Sequence, residues 1–311
     1  MLAPWLSVLL PSSAYIHNIL DMTSRFTSKK KYLFLVALFT LAACDKNEDT
    51  APVGPPIRPI TDASNAYVTT LIEYRPGPGQ SINTSFGNEE AAKSILGGKE
   101  SMVSLGAYGG YVVLGFDHSI INLAESPDFI VYGNALDKMA EPGVVWVMQD
   151  ENGNGLADDT WYEIKGSAYT EEGYRRDYEI TYTRPSGEHK DVPWKDNLGN
   201  SGFVKWNSYH TQNYYPEWIQ EDTYTLKGSL LPDTRIKRDG MITSMPFDWG
   251  YADNAVDGDQ IDIANAIDNK GNPIKLEAID FVKIQTGISA DLGLLGECST
   301  EVKGVADLQV L

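Results

Sequence analysis

The chain is punctuated. Short apolar stretches rich in β-branched and aromatic residues recur along it, each closed within a few residues by glycine, proline, asparagine or aspartate. Such runs are too short for a helix to bury a face, and they suit pleated strands bounded by turns. The pattern predicts strands over 66–74, 111–117, 128–132, 143–149, 160–165, 178–184, 203–206, 223–227 and 278–286. Tyr178-Glu179-Ile180-Thr181-Tyr182-Thr183 alternates as a strand with one buried face should. One helix is expected, with Asn88 as N-cap, Glu89 and Glu90 in its first turn, Ile95 and Leu96 apolar, and Gly97 as the stop. Many strands, one early helix and long polar loops predict an all-β fold, a β-sandwich of jelly-roll type with one short helix near the start of the domain. Strand and helix do not alternate, which argues against a nucleotide-binding α/β fold.

The N-terminal part is of a different kind. Lys29, Lys30 and Lys31 precede an almost wholly apolar run over 32–40, and Leu41-Ala42-Ala43-Cys44 follows at once. A cationic start, a short apolar stretch and small residues before a cut make a secretory signal peptide. The run is too short to span a bilayer, which takes roughly 20 residues. Leu-Ala-Ala-Cys resembles the lipobox of bacterial lipoproteins, which implies cleavage before Cys44 and acylation there, palmitate included. Several acyl chains give a stable membrane anchor. Met22 then serves as the start, and residues 1–21 are an upstream extension. Asp45-Lys46-Asn47-Glu48-Asp49 resembles the acidic export tags of Bacteroidetes surface lipoproteins, which implies display on the outer membrane at the cell surface. The stretch 51–60 carries four prolines and no strand or helix pattern, and reads as a stiff extended tether. The expected organisation is thus a signal and extension over 1–43, an anchor and tether over 44–65, and a β-sandwich over 66–311.

The whole chain carries a formal charge of −18, and removing the four basic residues and one acid of 1–43 takes it to −21. That charge repels phosphates and argues against nucleic acid as a partner. Beyond Cys44 only Cys298 remains, so a processed monomer forms no internal disulfide. Cys298 itself reads as a small buried residue.

Several blocks point to a family. Val103-Ser104-Leu105-Gly106, Gly109-Gly110, Val112 to Asp117 and Pro127 to Asn134 are similar to a motif series in cell-surface lipoproteins of Bacteroidetes. Asp248-Trp249-Gly250-Tyr251-Ala252-Asp253-Asn254 and Gly296-Glu297-Cys298-Ser299-Thr300-Glu301-Val302 resemble later blocks of the same group, so the likeness spans most of 66–311. Leu123-Ala124-Glu125-Ser126 departs from the glycine-rich turn the group carries before Asp128. The resemblance implies a galactose-binding-like jelly roll, a fold used by carbohydrate-binding modules and adhesins.

Three constellations carry candidate chemistry. In 150–159, Asp150, Asn152, Asn154 and Asp158 fall at positions 1, 3, 5 and 9 of a loop, with Gly155 at the sharp turn and the Leu156 carbonyl at position 7. Calcium takes six to eight oxygens at flexible geometry, and this spacing curls them around one point. Trp161 stands where the bidentate glutamate of an EF-hand would be, and Asp159 or Glu163 is the substitute. The bland alternative is an acidic turn. The expected role is a structural calcium staple. A second acidic group, Asp253, Asp257, Asp259 and Asp262 with Asp248 nearby, matches no ligand spacing and reads most simply as a solvated loop. Third, Trp206, Tyr209, His210, Tyr214, Tyr215 and Trp218 lie among amides and hydroxyls. Flat faces beside amides suit a sugar ring or a macrocycle such as a cobamide; the other use of such a run is to close the end of a core.

No Gly-x-Ser-x-Gly, His-Glu-x-x-His or phosphate-cradling loop is present in the sequence. The expected function is therefore non-catalytic: a surface lipoprotein that captures a glycan or a cobamide as nutrient, with a TonB-dependent transporter as its partner. The alternatives are an adhesin or structural envelope protein, and a polysaccharide-active hydrolase.

Overall fold

The computed structural model describes residues 54–311; Cys44, the leader and the acidic tag lie outside the described residues. The chain is an all-β sandwich. Its largest sheet has seven strands, in the order Thr70–Arg75, Tyr111–Ile121, Ala278–Thr286, Gly143–Met148, Tyr162–Ile164 and Ala266–Ile267, with Tyr251–Ala252 also pairing on Gly143–Met148. A three-stranded sheet joins Asp259–Ile261, Phe129–Tyr132 and Gly304–Asp307, and a four-stranded sheet runs Thr223–Leu230, Arg175–Thr183, Val192–Asp196 and Ser201–Val204. Two short pairs, Ile236–Lys237 with Thr243–Ser244 and Val103–Ser104 with Glu301–Val302, complete the strand pairing, which is antiparallel in every sheet.

Side-chain alternation explains the layers. Val112, Leu114 and Phe116 share a core with Val145, Val147, Val282 and Ile284, and with Phe129, Val131 and Val305 of the three-stranded sheet. Two sheets thus bury one face each against the other. Each such side chain contributes about 1.5–3 kcal/mol of transfer free energy. The opposite face of the large sheet is covered in its turn, which is why Tyr111–Ile121 is buried along almost its whole length and reads as a continuous apolar run.

The four-stranded sheet holds a second core, built mainly of tyrosines: Tyr108, Tyr178, Tyr182, Tyr214, Tyr215 and Tyr224. Their hydroxyls find partners, as Tyr182 donates to the Tyr108 carbonyl at 2.9 Å and Tyr224 to the Pro76 carbonyl at 2.9 Å. Gln285 clamps this sheet to the large one by donating to the carbonyls of Gly109 at 2.8 Å and Lys227 at 3.0 Å. A Cβ on Gly228 would stand 1.8 Å from Gln285 Oε1, so the close approach needs glycine there.

The one α-helix is Glu89–Ser94, and Asn88 caps it by accepting from the Ala91 N–H at 2.8 Å. Gly97, at a φ of +75°, follows the helix and donates to the Val68 carbonyl. The first strand starts later than the apolar pattern suggests. Tyr67 and Val68 pair with the strand Gly304–Asp307 before Thr69 donates to Gly115, so the chain crosses from one layer to the other inside a single apolar run. Val192–Asp196 escapes the pattern because Pro193 and two charges interrupt it. The proline-rich stretch is fixed at Arg58, whose guanidinium donates to buried Asp280 at 2.8 Å and to the Phe116 carbonyl at 2.9 Å. Among the described residues, no helix is long and apolar enough to cross a membrane.

Candidate functional site

The inward face of the four-stranded sheet does not close completely. Alternation along Arg175–Thr183 points Ile180 and Tyr182 inward, and Trp194, Phe203, Val204 and Trp206 continue the wall. The facing wall is the turn at Ala107 and Tyr108 and the loop 289–297. Between them lies a cleft of about 230 Å³. Gly202 sets the tilt of the Trp194 ring, because a Cβ there would come within 2.5 Å of the indole. Phe203 stands at the rim, 56% exposed, so the cleft has an apolar edge open to solvent.

The loop 289–297 is shaped by two glycines. Gly293 and Gly296 adopt φ of +69° and +89°, and the Leu292 N–H closes on the Gly296 carbonyl at 2.7 Å. This small excursion sends Asp291 and Glu297 to the aromatic cleft while Leu292, Leu294 and Leu295 line a separate apolar groove with Leu136, Met139 and Met241.

The electrostatics of the cleft are unequal. Asp291 is paired with Lys205, at 2.7 Å. Glu297 is buried and has no cation within salt-bridge distance among the described residues. Its Oε1 accepts from the Gln80 N–H at 2.9 Å, but its Oε2 accepts from nothing in the protein. Burial, with the Glu301 and Asp291 charges adding, pushes its carboxyl up to about 8. A buried polar atom without a partner costs about 1–3 kcal/mol. Glu297 belongs to the lining of a cleft with aromatic walls, while Oε2 itself is shut off from solvent.

The six aromatic and histidine positions singled out from the sequence divide. Trp206 lines the cleft, and the His189 ring stacks on it at 5.3 Å. Tyr214 and Tyr215 are core residues at 1% and 2% exposure, the core-closing use of the run. Trp218 stacks on Tyr74 at 6.1 Å, Tyr209 projects into solvent, and His210 is half-buried; none of these three lines the cleft. Trp194, Phe203 and Glu297 complete the site and were not singled out. Trp194 sits beside a proline in a strand with no clear pattern, and Glu297 is one of 43 acids.

The loop 150–159 forms a compact acidic turn. Asp150 Oδ1 accepts from the N–H groups of Gly153 at 2.8 Å and Asn154 at 3.1 Å, and its Oδ2 accepts from Gly155 at 2.8 Å. Asn152 Oδ1 and Asn154 Oδ1 accept from the Asn154 and Leu156 N–H groups, and Asp159 accepts from Glu151 at 2.9 Å. Asp158 takes the Asn154 amide at 3.2 Å. Asp150, Asn152, Asn154, Asp158 and Asp159 therefore direct their oxygens to N–H groups of the loop itself, and Gly153 and Gly155 supply its positive φ values of +72° and +75°.

The second acidic group departs from the solvated-loop expectation at two positions. Asp257 and Asp248 are exposed, but Asp253 and Asp259 are buried. Among the described residues, Asp253, Glu141 and Glu301 bring carboxylate oxygens within 4.8 Å of one another. Asp253 accepts from the N–H groups of Asn134 at 2.5 Å and Glu301 at 2.8 Å, and Glu141 accepts from the Ser299 N–H at 2.9 Å. Burial and then the Asp253 charge push Glu141 up to about 8, and burial with neighbouring carboxylates raises Asp253 and Glu301 as well. Like charges this close cannot all ionise, so the group holds protons. Cys298, three residues before Glu301, is fully enclosed and burial pushes its thiol up.

No known family model matches the chain, and no curated protein emerges as a relative.

Proposed function

We propose that this protein is a surface-exposed, lipid-anchored outer-membrane lipoprotein that captures a small glycan without transforming it. The family likeness, the Cys44 anchor and the jelly-roll winding of the sandwich belong to the same reading. The observation that carries the ligand class is the cleft walled by Trp194, Trp206, Tyr108 and Tyr182 with the carboxyl-bearing Glu297 in its lining. A sugar hydroxyl both donates and accepts, so it suits the Glu297 side chain whether that is protonated or ionised. Aromatic faces cover the apolar side of a pyranose ring. Size favours the glycan over the cobamide: drug-sized ligands occupy roughly 300–1,000 Å³, and the cleft offers about 230 Å³, room for a single sugar unit. Calcium at 150–159 is the proposed staple, and a TonB-dependent transporter the proposed recipient of the ligand.

A glycan array and a parallel cobamide titration test the reading. A glycan hit weakened by Trp194→Ala or Trp206→Ala, and unchanged by Trp218→Ala outside the cleft, is the expected result. A cobamide hit without a glycan hit, or a hit indifferent to both cleft variants, overturns it. A second reading, adhesion to another protein, is favoured by the apolar groove with Leu136, Met241 and Leu294 exposed along it. Blank glycan and cobamide results would move the account there.

A further inference from the structure

A row of residues crosses the large sheet in register: Glu73, Val113, Lys283, Trp146 and Glu163 stand on successive neighbouring strands. They face away from the Val282 and Ile284 core, toward the four-stranded sheet. Over the middle of this row the two sheets leave a cleft of about 450 Å³. Its walls include Tyr111, Trp146 and Trp161, and Arg176, Asp177 and Lys227 reach it from the four-stranded sheet.

Two groups here lack ordinary partners. The Lys283 ammonium lies 4.3 Å from the Tyr111 ring centroid and 5.8 Å from that of Trp146, and no carboxylate among the described residues comes within salt-bridge distance. The buried Trp146 Nε1–H donates to nothing. The other charges at the cleft are accounted for. Lys227 pairs with Asp177 at 3.2 Å and Glu179 at 3.4 Å, and Arg176 lies 3.5 Å from Glu163. Glu73 acts on Lys283 only at longer range. Burial lowers Lys283 to about 8, with Glu73 opposing. The Lys283 cation, unpaired and beside two aromatic faces, asks for one anion with a flat body.

We propose that this cleft is a second ligand site, distinct from the Glu297 cleft, that takes a small ring-bearing organic carboxylate, the carboxylate on Lys283 and the ring against Trp146, Trp161 and Tyr111. The volume falls in the range of about 300–1,000 Å³ typical of small-molecule sites. The ligand completes the charge pairing that the protein leaves open at Lys283, which is how a site rejects neutral analogues. The anion also favours the charged ammonium, so binding draws a proton onto Lys283 where the empty site has partly lost it.

The test is a calorimetric and tryptophan-fluorescence titration of the purified full chain. The probes are glucuronate and benzoate, each against its uncharged counterpart, glucose and benzyl alcohol. At least one acid should bind roughly tenfold or more tighter than its neutral partner, and which acid does so identifies the ring. Lys283→Met should abolish the preference, and Trp146→Ala, which removes a wall of the cleft, should weaken binding of the acid severalfold. Should Lys283→Met not fold, carbon-13 dimethylation of the wild-type lysines provides a second readout: the Lys283 resonance should titrate at higher pH with the acid bound. Equal binding of acid and neutral partner, a preference that survives Lys283→Met, or a Lys283 titration unmoved by the acid would each overturn the proposal. Loss of glycan binding at the Glu297 cleft would leave it standing, because the two sites share no lining residue.

Discussion

The two aromatic clefts of this sandwich are built alike and charged oppositely. Both lie beside the four-stranded sheet, both are walled by tryptophan and tyrosine, and each buries one ionisable group without a counter-ion. In one the group is Glu297, raised to about 8; in the other it is Lys283, lowered to about 8. Burial disfavours the charged form of both, so the same physical cause moves an acid up and a base down. The difference teaches where stability is given up for binding. A chain that needed only a folded sandwich would place a leucine at either position. Retaining an acid in one cleft and a base in the other leaves two surfaces that a neutral core would not offer.

The contrast is sharpest in pH dependence. Glu297 holds its proton more tightly when folded, at about 8, than its ordinary 4.5, so it costs stability as pH rises from about 4.5 to about 8 and no more above that. Glu297→Gln should remove this cost: at about 1.4 kcal/mol per pKa unit, the variant gains on the order of 3–5 kcal/mol at pH 8 and nearly nothing at pH 4, read by denaturant unfolding. Equal gains at both values would refute the assignment. Lys283 behaves as the mirror image. Its folded value of about 8 lies below its ordinary 10.5, so its cost is present in full below pH 8 and disappears as pH rises to about 10.5. Lys283→Met should therefore stabilise by roughly 2–3 kcal/mol at pH 7, part of the gross gain being offset by the lost contacts with Tyr111 and Trp146. A variant that gains more at pH 10 than at pH 7 would break the symmetry between the clefts.

Two smaller effects separate the clefts from each other and from the acidic loop. Trp194→Ala should weaken glycan binding by about 1–2 kcal/mol and leave carboxylate binding at Lys283 unchanged; a loss at both would mean the sheet had moved as a whole. Calcium at ten times its dissociation constant should add about 1.4 kcal/mol, a rise of roughly 3–6 °C in melting temperature, which chelator or Asp150→Ala removes. No shift in the scan would reduce 150–159 to the acidic turn.

How legible all this was in the sequence follows from range. Tyr178 to Thr183, Gly143–Met148 and Ala278–Thr286 were readable because alternation or apolar runs of adjacent residues form those strands. The Asn88 cap and the turn at 150–159 were readable for the same reason, since each closes on its own backbone within a few residues. The clefts were not. Glu297 meets Trp194 only because the loop 289–297 folds over the four-stranded sheet, and Lys283 meets Trp146 only through sheet register. The half-buried Glu141 and the buried Asp253 and Glu301 come together from three distant parts of the chain. Of the aromatic run, Trp206 alone reaches the cleft, because alternation says which side chains are apolar and leaves open which gap they line.

Calorimetric titration of the wild-type chain and Glu297→Leu with the strongest monosaccharide from the array tests the central claim most directly. The account predicts saturable one-to-one binding to the wild-type chain and a loss of roughly tenfold or more in affinity in the variant, although the variant is the more stable protein at neutral pH. Equal affinity in the two proteins would contradict it.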